Sequence, residues 1–250
     1  MAAIFGPLAG ALVRAFLPLR VAPTAVVLAN MLAGSAAAVA LARGELVLAA
    51  IVLQLKTLLD NADGRLARAS GRISLLGRYL DTEADLVVNG ALFVALGIVT
   101  AEPWLALAGF CALTFVLSVD FNIGELYRVV PAELPARSGR MMERALERAY
   151  RTVFAPQDRL VRAVSARRLE RILRDVDDTE RMRVATLAYH DRLTVAVLAN
   201  LGLSTQLAAL GVCLAIGAPT AYLWFVLACA AVLPLLQLRR ERLARRVLVR

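Results

Sequence analysis

The chain has 250 residues; 60% are apolar, mean hydropathy is +0.66, a fifth are charged and the formal net charge is +9. Soluble domains run at about 45–50% apolar, so composition excludes an ordinary soluble domain as well as a disordered chain. Cys111, Cys213 and Cys229 each sit inside an apolar run as packing residues, which excludes a disulfide framework, and one His leaves no material for a His/Cys zinc site.

What remains is a polytopic membrane protein whose charge is segregated from its apolar runs. Its cations are 28 Arg and the single Lys56. In so apolar a chain they point to anionic lipid or phosphorylated substrates rather than to nucleic acid. The chain opens without an early cationic segment or a small-residue cleavage site, so no removable signal peptide is expected.

Residues 1–22 form an N-terminal interfacial segment. Within it, 4–20 reads either as a helix lying in the membrane interface, broken by Pro18, or as an irregular lead-in. Six spans follow, over 23–42, 45–60, 83–100, 104–120, 192–216 and 218–237, each near the length that crosses hydrocarbon. The expected fold is therefore all-α, with six transmembrane helices and a helical insert. Residues 23–120 carry helices 1–4, 121–191 the insert, and 192–250 helices 5–6 with a basic tail. Of the 29 cations, Arg43 alone lies in the short turns of one side. The positive-inside rule makes the other side cytoplasmic, giving a multi-pass cell-membrane protein with both termini inside.

The insert holds 14 Arg. From Ser138 to Arg151, Met141, Met142, Ala145, Leu146 and Ala149 recur at helical spacing. Pro156 is read as opening a second helix, with Val161, Val164, Leu169, Ile172, Leu173 and Val176 on its apolar side. Asp177, Asp178 and Thr179 read as a turn and cap. The Arg of the insert either bind phosphate or anionic lipid, or form a solvated face. Asn122, Glu125 and Arg128 either complete an acceptor pocket or serve capping and surface pairing. His190 is an interfacial His or a headgroup contact. Asn89 and Asn200 are expected to bond between helices, and RRERLARR (239–246) reads as an anionic-lipid anchor or a topology signal.

The chemistry lies in LDNADGRLARASGRISLLGRYLDTEAD, residues 59–85. An ionised Asp inside hydrocarbon costs about 2.5–3.5 kcal/mol on insertion scales, and Asp60, Asp63, Asp81 and Asp85 close together also repel. A bound divalent cation relieves both. Asp60 and Asp63 are i, i+3 at the end of span two; Asp81 and Asp85 are i, i+4 at the start of span three. A loop over 69–76 returns the second helix antiparallel, and all four carboxylates then converge. Hard oxygen ligands suit Mg²⁺ or Mn²⁺, and two carboxylate pairs suit two ions about 3.5–4 Å apart. Gly64 and Ala67 clear bulk from the face that Arg68 shares, so that a phosphorylated ligand can approach, although Gly64 and Gly77 also suit close helix packing.

The stretch reads Asp60-x2-Asp63-Gly64-x2-Ala67-Arg68-x8-Gly77-x3-Asp81-x3-Asp85. It resembles the signature of the CDP-alcohol phosphotransferases (CDP-alcohol phosphatidyltransferases), D-x2-D-G-x2-A-R-x8-G-x3-D-x3-D, at all eight fixed positions. The six-span layout and the segment VAPTAVVLAN at the start of span one are similar as well; the insert is longer than in compact members. The resemblance implies transfer of a substituted phosphate from a CDP-linked donor, usually CDP-diacylglycerol in bacteria, to a small polar alcohol, free or phosphorylated, with release of CMP. It implies metal ligation by Asp60, Asp63 and Asp81, with Asp85 touching the metal site and acting as general base. Gly64, Ala67, Arg68 and Gly77 would line the CDP pocket, and a homodimer is implied. The alternative is a CDP-choline- or CDP-ethanolamine-type enzyme with diacylglycerol as acceptor. A cation transporter would place its ionisable groups near the membrane midplane instead.

Overall fold

The structure, a computed structural model, describes residues 2–127 and 141–249. Among them are ten helices and no strand: α1 (Ala2–Phe16), α2 (Pro23–Ala42), α3 (Leu46–Ala69), α4 (Leu75–Thr100), α5 (Pro103–Tyr127), α6 (Met141–Leu173), α7 (Thr179–Tyr189), α8 (Arg192–Asn200), α9 (Leu203–Ala215) and α10 (Pro219–Val249). The fold is that of an all-α polytopic membrane protein. α2, α4, α5, α10 and the stretch Thr179–Ala215 are long and apolar enough to cross a membrane. Large side chains on these helices face outward, among them Leu32, Val94, Trp104, Val212 and Trp224, as lipid-facing surfaces require.

Local chemistry sets the helix ends. α2, α5 and α10 each open on a proline, whose missing N–H is one the first turn leaves unpaired anyway. Gly44 and Gly217, with φ of 78° and 72°, make the tight turns after α2 and α9 in a left-handed conformation. Asp178 caps α7, accepting from the Glu180 and Arg181 N–H groups, as the sequence pattern predicts. Asp191 caps α8 in the same way.

The chain divides into two compact units. The first holds α1–α4, α5 to Cys111, α6 to Arg151, α9, and α10 to Val226. In it α2 packs on α3 and α4, while α3 packs on α1 and α9. α1 is helical, as one of the two readings of the N-terminus has it. It buries Ala9 and Val13 against Val26 of α2 and Ala62 and Leu66 of α3, and the Arg65 guanidinium donates to the Gly6 carbonyl at 2.6 Å. On the other flank of α3, Asn61 donates to Ser204 Oγ at 3.1 Å and Gln54 to the Leu207 carbonyl at 3.4 Å.

The second unit holds the remainders of α5, α6 and α10 with α7 and α8. One core gathers Val116, Ile123, Leu198, Leu233 and Leu236; another gathers Ala185, Tyr189 and Ala244 with Leu169, Ile172 and Leu173 packed against it. Four features differ from the sequence reading. Pro156 lies inside α6 instead of opening a helix, because proline removes one backbone bond without stopping a helix whose flanking turns are otherwise intact. The fifth span is interrupted at Leu201–Gly202 between α8 and α9. Asn200 bonds within its own helix, to the Ala196 carbonyl at 2.8 Å, not to a neighbour. Asn122 is fully buried and donates to Asp158 at 2.7 Å while accepting from Arg162 at 2.6 Å, so it braces α5 against α6. Arg128 and Ser138 lie outside the described residues.

Arg240 turns inward from the basic tail, 3% exposed. It donates to the Tyr189 carbonyl, Gln237 and Ser165 and stands over the Tyr189 ring at 4.0 Å, beside His190 Nδ1 at 3.4 Å. Arg240→Met leaves those buried acceptors unpaired and is expected to cost about 2–3 kcal/mol, read as a lower thermal midpoint in detergent.

Candidate active site

The motif residues fall on α3 and α4, joined by a short turn. Ser74 caps α4, its hydroxyl accepting from the Gly77 N–H at 3.0 Å, so Gly77 sits in the first turn, one turn before Asp81. α3 continues through Ala69, well past the expected end of span two, which keeps Asp60, Asp63, Gly64, Ala67 and Arg68 on one continuous helix.

Asp60, Asp63 and Asp81 each offer one carboxylate oxygen, and these atoms all lie within 4.8 Å of one another. At an effective dielectric of about 20, like charges at such a separation repel by roughly 3 kcal/mol per pair. Helix geometry holds the three together despite that. Asp63 is 6% exposed, and its Oδ2, like Asp81 Oδ1, is buried without a hydrogen-bond partner. Buried oxygens without a donor are costly, and a hard divalent cation is the group that an all-carboxylate set of this kind fits. The donor set therefore fits Mg²⁺ or Mn²⁺.

Asp85 stands apart from these three. Its Oδ1 accepts from Lys56 Nζ at 2.8 Å, and the same ammonium lies 3.5 Å from Asp60 Oδ1. Lys56 is fully buried. Asn30, on α2 and 1% exposed, donates to Asp60 Oδ1 at 3.0 Å. Lys56 and Asn30 carry no role in the sequence reading. The available signals are that Lys56 is the one lysine of the chain, set inside an apolar run four residues before Asp60, and that Asn30 is a polar interruption of span one.

The remaining motif positions surround the cluster. The Gly64 N–H donates to Asp63 Oδ1. The exposed Arg68 lays its guanidinium over Gly64, 3.5 Å from where a Cβ would stand. At Gly77 a Cβ would approach Ser74 Oγ to 3.1 Å. A further glycine matters for packing: a Cβ at Gly34 of α2 would overlap Val88 and come within 3.2 Å of Lys56 Cδ. Gly34→Val is expected to cost about 1–3 kcal/mol by overpacking, seen as a lowered melting temperature in detergent.

Sequence comparison bears on this geometry. A curated relative from Thermococcus kodakarensis (strain ATCC BAA-918 / JCM 12380 / KOD1), "Bifunctional IPC transferase and DIPP synthase", is 36% identical over 94 residues, 36% of this chain and 22% of that protein. The match thus spans about a fifth of the relative's length. No solved structure matches the chain. The family profile described as CDP-alcohol phosphatidyltransferase matches residues 20–147, about half of the chain and all of the α3–α4 carboxylate site. With the three gathered carboxylates on α3 and α4, this places the chain in the CDP-alcohol phosphatidyltransferase family.

Proposed function

We propose that the protein moves a phosphatidyl group from CDP-diacylglycerol to the hydroxyl of a small polar alcohol, free or phosphorylated, and releases CMP. The observation that carries this reading is the trio of Asp60, Asp63 and Asp81 with its unpartnered buried oxygens. These residues would hold Mg²⁺ or Mn²⁺, which when bound neutralises diphosphate oxygens and the charge that develops on the leaving CMP. Gly64, Ala67, Arg68 and Gly77 would line the CDP pocket: the glycines and Ala67 admit the nucleotide to the backbone, and the Arg68 fork pairs with phosphate.

Asp85 would take the proton. The acceptor hydroxyl forms a bond to the phosphorus of the phosphatidyl group as the P–O bond to CMP breaks; CMP leaves with the bonding electrons, and the hydroxyl proton passes to Asp85. The Lys56 hydrogen bond fixes the orientation of that carboxylate. Phospholipid synthesis at the cell membrane follows from a donor with two acyl chains. The single outlying cation, Arg43, supports a cytoplasmic site with both termini inside, and membership of the family supports a homodimer.

The test offers purified protein CDP-diacylglycerol with a panel of free and phosphorylated alcohols, and in parallel CDP-choline or CDP-ethanolamine with diacylglycerol. CMP release and the mass of the lipid product are followed. Product from CDP-diacylglycerol supports the reading; product only from the soluble donors replaces it with the second donor class. The activities in the relative's name belong to a protein of which this chain matches 22%, so the panel is not restricted to them.

A further inference from the structure

We infer that the centre takes a single divalent cation, and that the Lys56 ammonium stands where a second would bind. The inference rests on the metal-centre reading above and departs from the two-ion expectation.

Four motif carboxylates could be shared between two ions only if Asp85 joined the set. Instead the structure gathers Asp60, Asp63 and Asp81, and gives Asp85 to Lys56 at 2.8 Å. The ammonium lies between Asp85 and Asp60, 3.5 Å from the latter, which is the place that a second ion bridging α3 and α4 would need. A cation within ligand distance of Asp85 Oδ1, about 2.0–2.5 Å, would stand no more than about 5 Å from Nζ, with both charges buried and repelling.

Lys56 is closely packed. It is fully buried, its stem runs near enough to Gly34 that a Cβ there would meet Lys56 Cδ at 3.2 Å, and Val88 crowds the same face of that glycine. The residue type is informative as well. Of 29 cations this is the one Lys, and an ammonium is a compact point charge with three donors, closer in shape to a metal ion than the planar guanidinium. Asp60 then serves both charges, its Oδ1 already facing Lys56 and Asn30. The trio keeps its two buried unpartnered oxygens, Asp63 Oδ2 and Asp81 Oδ1, for one ion.

The test counts Mn²⁺ on the detergent-purified, substrate-free protein by equilibrium titration and electron paramagnetic resonance, with Asp63→Asn as the baseline for adventitious binding. The expected result is one ion per chain above baseline, with the spectrum of an isolated Mn²⁺. Lys56→Met is expected to raise the count to two and to show a spin-coupled pair. Two ions on the wild type, or one ion on a folded Lys56→Met protein, overturns the inference. If Lys56→Met fails to fold, the wild-type count decides alone. A wild type that binds no more Mn²⁺ than Asp63→Asn overturns the metal-centre reading itself, which separates the two failures.

Discussion

If Asp85 is the proposed base, Asp85→Asn is expected to fold as the wild type does and to release CMP about 10²- to 10⁴-fold more slowly, the span that positioned acid–base groups contribute. The amide keeps the shape of the carboxyl group, and its oxygen still accepts from Lys56, whose donor stands 2.8 Å from Asp85 Oδ1. What is lost is the capacity to take a proton. The loss is therefore expected in kcat with little change in KM for the CDP-linked donor. Steady-state kinetics at saturating divalent ion checks it. Wild-type turnover in the variant rejects Asp85 as the base; a raised KM alone assigns it to binding.

Asp63→Asn produces the second large effect, with two readouts that move in opposite directions. With Asp63 as a metal ligand, activity is expected to fall on the order of 10³-fold or more, since metal ions supply several kcal/mol of charge stabilisation at about 1.4 kcal/mol per tenfold in rate. Stability without metal moves the other way. Three carboxylate oxygens within 4.8 Å repel in the folded protein, and neutralising one relieves two pairs, roughly 3 kcal/mol each before compensating losses. The variant is therefore expected to melt at or above the wild type in the absence of divalent ion. The wild type is expected to gain stability as Mg²⁺ is added, because a ligand that binds only the folded state raises the midpoint; Asp63→Asn is expected not to. A thermal-melt series against Mg²⁺ concentration reads both. A variant that melts far below the wild type without metal would give Asp63 a structural role instead.

The gathering of Asp60, Asp63 and Asp81 was legible because its information is local, whereas the expected convergence of all four carboxylates is not what the structure has: Asp85 goes to Lys56. Intervals of three and four residues put carboxylates on one face of a helix, and the Ser74 cap starts α4, from which Asp81 comes within 4.8 Å of Asp60 and Asp63. Five of the six expected spans were legible for the same reason, as apolar runs; α3, which carries Lys56, Asp60 and Asp63, is not among the helices apolar enough to cross a membrane. Contacts between residues far apart in the chain were not legible. Lys56 and Asp85 are 29 residues apart, and nothing in their spacing tells which carboxylate the ammonium takes; that depends on the packing of α2, α3 and α4 around Gly34. Asn122 shows the same limit. Its position after span four suits a solvent-facing role, yet Asp158 and Arg162 of α6 bury it. Arg240, read as one basic residue of a surface run, is drawn inward by Tyr189, Ser165 and Gln237.

Backbone interruptions divided in the same way. Proline stands at the starts of α2, α5 and α10, but at Pro156 the neighbouring turns of α6 carry the helix through. At Leu201–Gly202 an apolar run that reads as one span is broken, with Gly202 close against the Ala199 carbonyl and the Asp120 carboxylate.

On the proposed reading Asp60, Asp63 and Asp81, gathered from α3 and α4, form a divalent-cation centre. Anomalous diffraction from crystals of the protein grown with Mn²⁺ tests it most directly. A peak within ligand distance of all three carboxylates is the predicted result. An occupied Mn²⁺ site elsewhere with none here, or carboxylates of α3 and α4 turned away from one another, would contradict it.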